Sequence, residues 1–251
     1  MIAALAGHRL ARVTLLDCGT FRVRDGGRVI GIPAWLLTTD RGAQVLVDGG
    51  FPAAHADDPE AAARADGLDS FGRLLGHGPR NTVAAQLALC GLGLSDLTAH
   101  VLTHGHIDHV GALPLLSCPL VLTEIERRDP RPRYFGSARP LAWPDVPTHR
   151  IAAETRLCDG VTLLPTPGHT PGHLSLLLEP PGRPPLILAA DAINRLSEPA
   201  EGFPDAGDPA AARASAGRLL ALARARGARL ICGHEPSDWP VLPRAPRALV
   251  P

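Results

Sequence analysis

The stretch LTHGHIDHVG, residues 102–111, places His104, His106, Asp108 and His109 within six positions of a chain that has only 11 histidines. A histidine kept for packing needs one partner per ring nitrogen and gains nothing from crowding, whereas a metal site requires it. Neutral imidazole and carboxylate are the donors expected around zinc and other first-row divalent ions. His104 and His106 are two apart, so in extended chain they project to one side and can share an ion. Asp108 and His109 follow where the chain is expected to turn into a helix, and they can face a second ion. One such cluster supplies two ligands per ion, which is too few, so further ligands must recur downstream. They do: His169 stands in TPGHTPGH, Asp191 closes the apolar run PLILAAD, and His234 stands in ICGHEP. A carboxylate ending an apolar strand must meet a charge or strong donors.

Strands are expected to position these residues. RVTLLDCG (12–19), VIGIPAWLLTTD (29–40) and AQVLVDGG (43–50) read as successive strands closed by turn residues. Residues 52–80 read as a long surface excursion with one helical turn. Residues 81–93 read as a helix capped by Asn81 or Thr82 and stopped at Gly91 or Gly93. LTAHVLTH (97–104) is a strand that delivers the histidine cluster, VGALPLL a short helix behind it, and CPLVLT (118–123) the next strand. Residues 126–147 read as an irregular, cap-like insertion. Strand-like runs follow at 161–170, 173–179 and 185–192. Then comes a helix over 208–227, with Asp208 as cap, Pro209 first and Gly227 as stop, and a last strand at 228–236.

Composition excludes several classes. All 25 basic residues are arginine, so Schiff-base and P-loop lysine chemistry are absent. Net charge is zero, which gives no general attraction to nucleic acid or anionic membranes. Five scattered cysteines without a CxxC pair point to a reducing, cytoplasmic setting. No signal peptide is recognised, and no apolar run approaches the roughly 18 residues of a spanning helix.

The run His104-x-His106-x-Asp108-His109, followed by His169, Asp191 and His234, resembles the metallo-β-lactamase superfamily from about residue 17 to about 239. Intervals of 65, 22 and 43 residues between the groups, with TPGHTPGH and the helix DPAAARAS before GHEP, are most similar to the N-acyl-homoserine lactonase branch. The resemblance implies one domain over residues 1–251, a four-layer αββα sandwich with two divalent metal ions at one edge of the sheets. It implies that His104, His106 and His169 hold one ion, that Asp108, His109 and His234 hold the other, and that Asp191 bridges them. Zinc is the first expectation, and Mn, Fe or Co suit the same donors. Asp48, in VLVDGG, would support the ligands from behind. The implied activity is opening of an acyl-homoserine lactone or a related lactone or ester, which in the former case is quorum quenching. Metal-bridged hydroxide would attack the carbonyl, and Asp108 would pass a proton to the leaving group. Lactonases of this branch carry a tyrosine three residues after the bridging aspartate. Here that position is Asn194, taken as the catalytic donor to the substrate, and the only tyrosine is Tyr134.

The same donor pattern serves thioesterases of the glyoxalase II kind, phosphoesterases and organophosphate hydrolases. Glyoxalase II proteins usually append a helical domain, and only 17 residues follow His234. A β-lactamase would be exported. Arg127, Arg128, Arg131, Arg133 and Arg139 would be a nuclease's footprint, but neutral charge favours a solvated face. The expected partner is a small lactone or ester, with no nucleic acid and no membrane, and the protein a monomer or homodimer. His173 is expected to support the ligands from behind or to pack, not to bind metal itself, and Cys232 is expected to pack. His8, His55, His77, His100 and His149 are expected to be solvated or locally hydrogen-bonded.

Overall fold

Neighbouring apolar residues in the long strands must bury on opposite faces, because strand side chains alternate. That is how Leu15 and Leu16, Leu36 and Leu37, Leu163 and Leu164, and Leu176 and Leu177 are divided between different cores. The computed structural model describes residues 3–134 and 136–251; residues 1–2, and Phe135 of the expected 126–147 cap, lie outside the described residues. Among the described residues, no helix is long and apolar enough to cross a membrane.

Seven strands form the first sheet: β1 (Leu10–Val23), β2 (Val29–Thr39), β3 (Gln44–Val47), β4 (Gly72–Leu74), β5 (Leu97–Val101), β6 (Leu120–Thr123) and β7 (Thr148–Ile151), in the order β4-β1-β2-β3-β5-β6-β7. Five form the second: β8 (Thr155–Cys158), β9 (Val161–Pro165), β10 (Leu174–Leu178), β11 (Leu186–Ala190) and β12 (Arg229–Cys232), in the order β12-β11-β10-β9-β8. Between the sheets lies a core that includes Val13, Leu15, Val45, Val47, Val101, Leu163, Leu176 and Leu188. Behind the first sheet, Leu16, Leu36, Leu46 and Leu122 meet Val83 and Leu87 of a short helix. Behind the second, Leu164, Leu177 and Ile187 meet Ala212, Ala216 and Leu219 of a long one. Three cores between four layers make the αββα sandwich.

The helices are α1 (Ala54–Asp57), α2 (Pro59–Asp66), α3 (Val83–Leu89), α4 (Glu124–Arg127), α5 (Glu198–Glu201) and α6 (Pro209–Arg226). On α6, Asp208 accepts from the amides of Ala210 and Ala211, and Gly227 closes the helix in the left-handed region. Of the two candidate caps for α3, Thr82 accepts from Ala85, while Asn81 instead donates to the carbonyl of Asp17.

Several expectations need correction. The 52–80 excursion holds α1, α2 and the edge strand β4, and it buries His55, Asp66 and Leu68. The segment after β5 does not become a helix; residues 107–109 form a turn closed by the His109 amide donating to the His106 carbonyl at 3.0 Å. VGALPLL contains only a single 3-10 turn, Leu113–Leu115.

Candidate metal centre

β3 and β5 run parallel, as do β11 and β12, so each pair ends at the same edge. Residues just past those ends converge there: Asp48 after β3, His104 to His109 after β5, Asp191 after β11 and His234 after β12, joined by His169 from the loop between β9 and β10. Asp48 (φ 59°) and Ala190 (φ 45°) adopt left-handed backbone, which turns the chain sharply inward at the two carboxylates. Such a conformation costs an alanine about 1–2 kcal/mol, so the surrounding sheet enforces it.

All seven expected donors come together and all are buried. Among the described residues three groups have donor atoms mutually within 4.8 Å: His104, His106 and His169; Asp108, His109 and His234; and, joining these two, His104, His109 and Asp191. Asp191 lies between the first two with its oxygens divided. Oδ2 faces His169 Nε2 at 3.2 Å and His104 Nε2 at 3.9 Å, while Oδ1 faces His234 Nε2 at 3.3 Å and His109 Nε2 at 3.5 Å. Asp108 Oδ2 is 3.3 Å from His234 Nε2 and 3.7 Å from His109 Nε2. His106 Nδ1 meets His169 Nε2 at 2.9 Å.

The far ring nitrogens are held by partners that fix the tautomers. His109 Nδ1 donates to Asp48 Oδ2 at 2.8 Å, and His234 Nδ1 donates to the carbonyl of Gly31 at 2.9 Å. Thr103 donates its hydroxyl and its amide to Asp48, so its hydroxyl oxygen accepts from His104 Nδ1 at 3.1 Å. Each Nε2 is thereby turned inward. Asp48 sits behind the donors as the resemblance implied.

Burial holds His104 and His106 well below the usual histidine range, with neighbouring imidazoles adding to the effect, so they stay neutral. Burial also disfavours charge on His109, but Asp108, Asp48 and Asp191 together raise it to about 9. Although burial opposes ionisation of Asp191, His234, His109 and His169 hold it well below the usual carboxylate range. Within this cluster His104 Nε2, His109 Nε2, Asp108 Oδ1 and Asp191 Oδ1 are buried without hydrogen-bond partners. Buried polar atoms rarely stay unpaired, and ring nitrogens gathered around two carboxylates in this way are placed to hold cations once the rings give up their protons. Imidazole and carboxylate without thiolate suit a pair of first-row divalent ions.

Other expected residues separate clearly. His173 is fully used: it donates from Nδ1 to Thr166 and accepts the Asp191 amide at Nε2, 3.0 Å away, so it braces that residue. Asn194 lies beside the donors, but its backbone amide and its Nδ2 both donate to Glu198, at 2.5 and 3.3 Å. His8 bonds Thr39 and His77 bonds the Cys18 carbonyl, as expected. His100 departs from expectation: it is completely buried and neither ring nitrogen has a partner. Residue types alone also did not single out Glu126, Thr170, Arg195 or Glu198, all of them buried. Arg195 is held by Glu198, Glu201 and Asp205.

Above the donors opens a cavity of about 720 Å³. One wall is apolar, with Phe21, Val23 and Ile30 from β1 and β2 and Phe51, Leu68 and Phe71 from the 52–80 region and its approach. Asn194, Arg195 and Asp205 form the other side, and His106, Asp108, His169, Asp191 and His234 form the floor. None of the described residues of 126–147 lines it.

The sandwich and the paired donor groups define the class of two-metal hydrolases. The model of the metallo-beta-lactamase superfamily matches residues 27–234, and the chain belongs to that superfamily. It is 30% identical over 223 residues to an N-acyl homoserine lactonase of Bacillus thuringiensis, covering 83% of this chain and 84% of that one. It is 28% identical over 236 residues to N-acyl homoserine lactonase AttM of Azorhizobium caulinodans, covering 86% of each. Its fold is similar to that of an N-acyl homoserine lactone hydrolase solved with N-hexanoyl-L-homoserine at its catalytic metal centre. The TM-score is 0.81 at 21% identity, over 96% of this chain and 99% of that one.

Proposed function

We propose that this protein is a dinuclear metal-dependent hydrolase that opens the ester bond of lactones, acyl-homoserine lactones first, and so acts in quorum quenching. The observation that carries the reading is Asp191, whose two oxygens are divided between two separate histidine groups on the floor of an amphiphilic cavity. His104, His106 and His169 would hold one ion, Asp108, His109 and His234 the other, and Asp191 both, with zinc as the metal. Two such ions polarise a carbonyl and make water acidic enough to supply the nucleophile near neutral pH.

The chain's own residues do the rest. Phe21, Ile30, Leu68 and Phe71 hold the acyl chain against the apolar wall and leave the lactone over the donors. Asp108, ionised at rest and with its buried Oδ1 unpaired, would take the proton that the attacking water loses and pass it to the ring oxygen as the acyl carbon–oxygen bond breaks. Asn194 meets the substrate's polar atoms, while Glu198 accepts from its Nδ2. Because Glu198 competes for the amide, Asn194→Tyr is expected to raise acyl-homoserine lactone turnover; unchanged turnover means that the carbonyl is held elsewhere. The free cysteines, four of the five buried, suit a reducing cytoplasm.

Each turnover adds water across the ester and leaves an ionised acid, releasing one proton. Proton release by zinc- and manganese-loaded protein is the test. The panel comprises acyl-homoserine lactones, simple γ- and δ-lactones, an open-chain ester, a glutathione thioester and a phosphotriester. Fast opening of the acyl-homoserine lactones is expected. Turnover of the thioester or phosphotriester alone overturns the lactone assignment.

A further inference from the structure

Glu126 is a carboxylate with almost no solvent contact, outside both donor groups, on the short helix that follows β6. Its two oxygens reach two different loops. Oε1 accepts the amide of Gly105, the residue between His104 and His106, at 2.9 Å. Oε2 accepts the hydroxyl of Thr170, the residue after His169, at 2.8 Å. Thr123, three residues earlier, accepts the Glu126 amide at 3.1 Å and donates to the Gly172 carbonyl at 2.6 Å. The loop carrying His104 and His106 and the loop carrying His169 are thus tied through one side-chain pair.

We infer that Glu126, assisted by Thr123, is a positioning residue that sets the separation of the two loops and thereby governs affinity at the His104–His106–His169 site alone. The inference rests on the two-ion reading. The glycines at both docking points fit it: a Cβ on Gly105 would lie 2.7 Å from the Arg133 amide and 3.2 Å from Glu126 Oε1, and one on Gly172 would lie 2.5 Å from Thr123 Oγ1. Both loops approach so closely that only glycine leaves room. Among the described residues Glu126 makes no hydrogen bond to Asp108, His109 or His234; His109 is held by Asp48 and His234 by the Gly31 carbonyl, so neither depends on Glu126 for its support.

The test is stepwise titration of metal-free protein with Co²⁺, followed by its absorption bands, and with Zn²⁺ against a chromophoric chelator. Wild type is expected to take up two ions, and His106→Ala identifies which step belongs to the first group. Glu126→Ala should weaken that step about 10–100-fold, the usual effect of losing a ligand's support, and leave the other within about threefold. Glu126→Gln should retain both steps, because its amide can accept from Gly105 and donate to Thr170. Thr170→Val, nearly isosteric, should weaken the same step by a smaller factor. It decides the matter if Glu126→Ala does not fold, since an unmoved first step in Thr170→Val then overturns the clamp. Equal weakening of both steps, or of neither, in Glu126→Ala also overturns it. A wild type that takes up fewer than two ions overturns the two-ion reading and the clamp together, whereas a normal wild type with an unmoved variant overturns the clamp only.

Discussion

Asp191 holds the two donor groups together, since each of its oxygens serves a different one. Asp191→Asn keeps the shape but removes the charge and turns one acceptor into a donor. Bound metal should fall from two ions toward one and lactone turnover by at least about 100-fold, checked by elemental analysis beside steady-state rates. Full activity with two ions bound would refute the bridging role. The seven donors were legible because ligand chemistry demands particular residue types crowded at particular spacings. Glu126 and His100 were not, because a buried glutamate or histidine looks in sequence like any solvated one. For His100, burial lowers the pKa to about 4. The unfolded chain binds this proton from about 6.5 downward and the folded one only near 4, so stability is present above the former and lost as pH falls between them. The loss is about 2 kcal/mol on going from about pH 7.5 to about pH 5. His100→Leu should remove that part of the slope while leaving the metal-dependent part. Urea midpoints of both proteins at the two pH values give the difference, and equal slopes would dismiss the buried-histidine account.

Elements were legible in proportion to how much of them is buried. The central strands β2, β3, β10 and β11 carry apolar residues on both faces and announced themselves. The three strands that the sequence pattern does not reveal, β4, β7 and β8, are all at sheet edges. Their sequences, Gly-Arg-Leu, Thr-His-Arg-Ile and Thr-Arg-Leu-Cys, are short and half polar because an edge strand has one neighbour and one side in water. The turn at 107–109 resembles a helix start in sequence because spacing cannot distinguish one turn from several. At this scale the β9–β10 loop, where it packs on the first turn of α6, is the sensitive joint. Gly168 has φ 142°, and a Cβ there would lie 2.7 Å from the Ala212 Cβ and closer still to its backbone. Gly168→Ala should therefore push His169 and α6 apart and destabilise the protein by about 2 kcal/mol or more. Urea unfolding of the metal-free form measures it, and a change below about 0.5 kcal/mol would mean that the loop yields freely.

For the whole molecule, the cavity joins parts far apart in sequence, so no local pattern could have outlined it. The β1–β2 hairpin supplies Phe21 and Ile30, the region before β4 supplies Leu68 and Phe71, and the segment beyond β11 supplies Asn194 and Arg195. Its charged side chains away from the donors, Arg24, Arg28 and Arg195 against Asp25, Glu201 and Asp205, balance three to three. Zero net charge of the chain agrees with this, so selection should rest on apolar contact and not on long-range attraction. Phe71 is the natural probe, because it lines the cavity and is 39% exposed, leaving surface for a ligand to cover. Covering an aromatic side chain to that extent is worth about 1–1.5 kcal/mol. Phe71→Ala should therefore raise KM about five- to tenfold for long-chain acyl-homoserine lactones, with kcat little changed. An unsubstituted γ-lactone, which has no chain to lay against the wall, should be turned over as in wild type at every salt concentration. Equal losses for both substrates would place the acyl chain elsewhere and make Phe71 a packing residue of the rim.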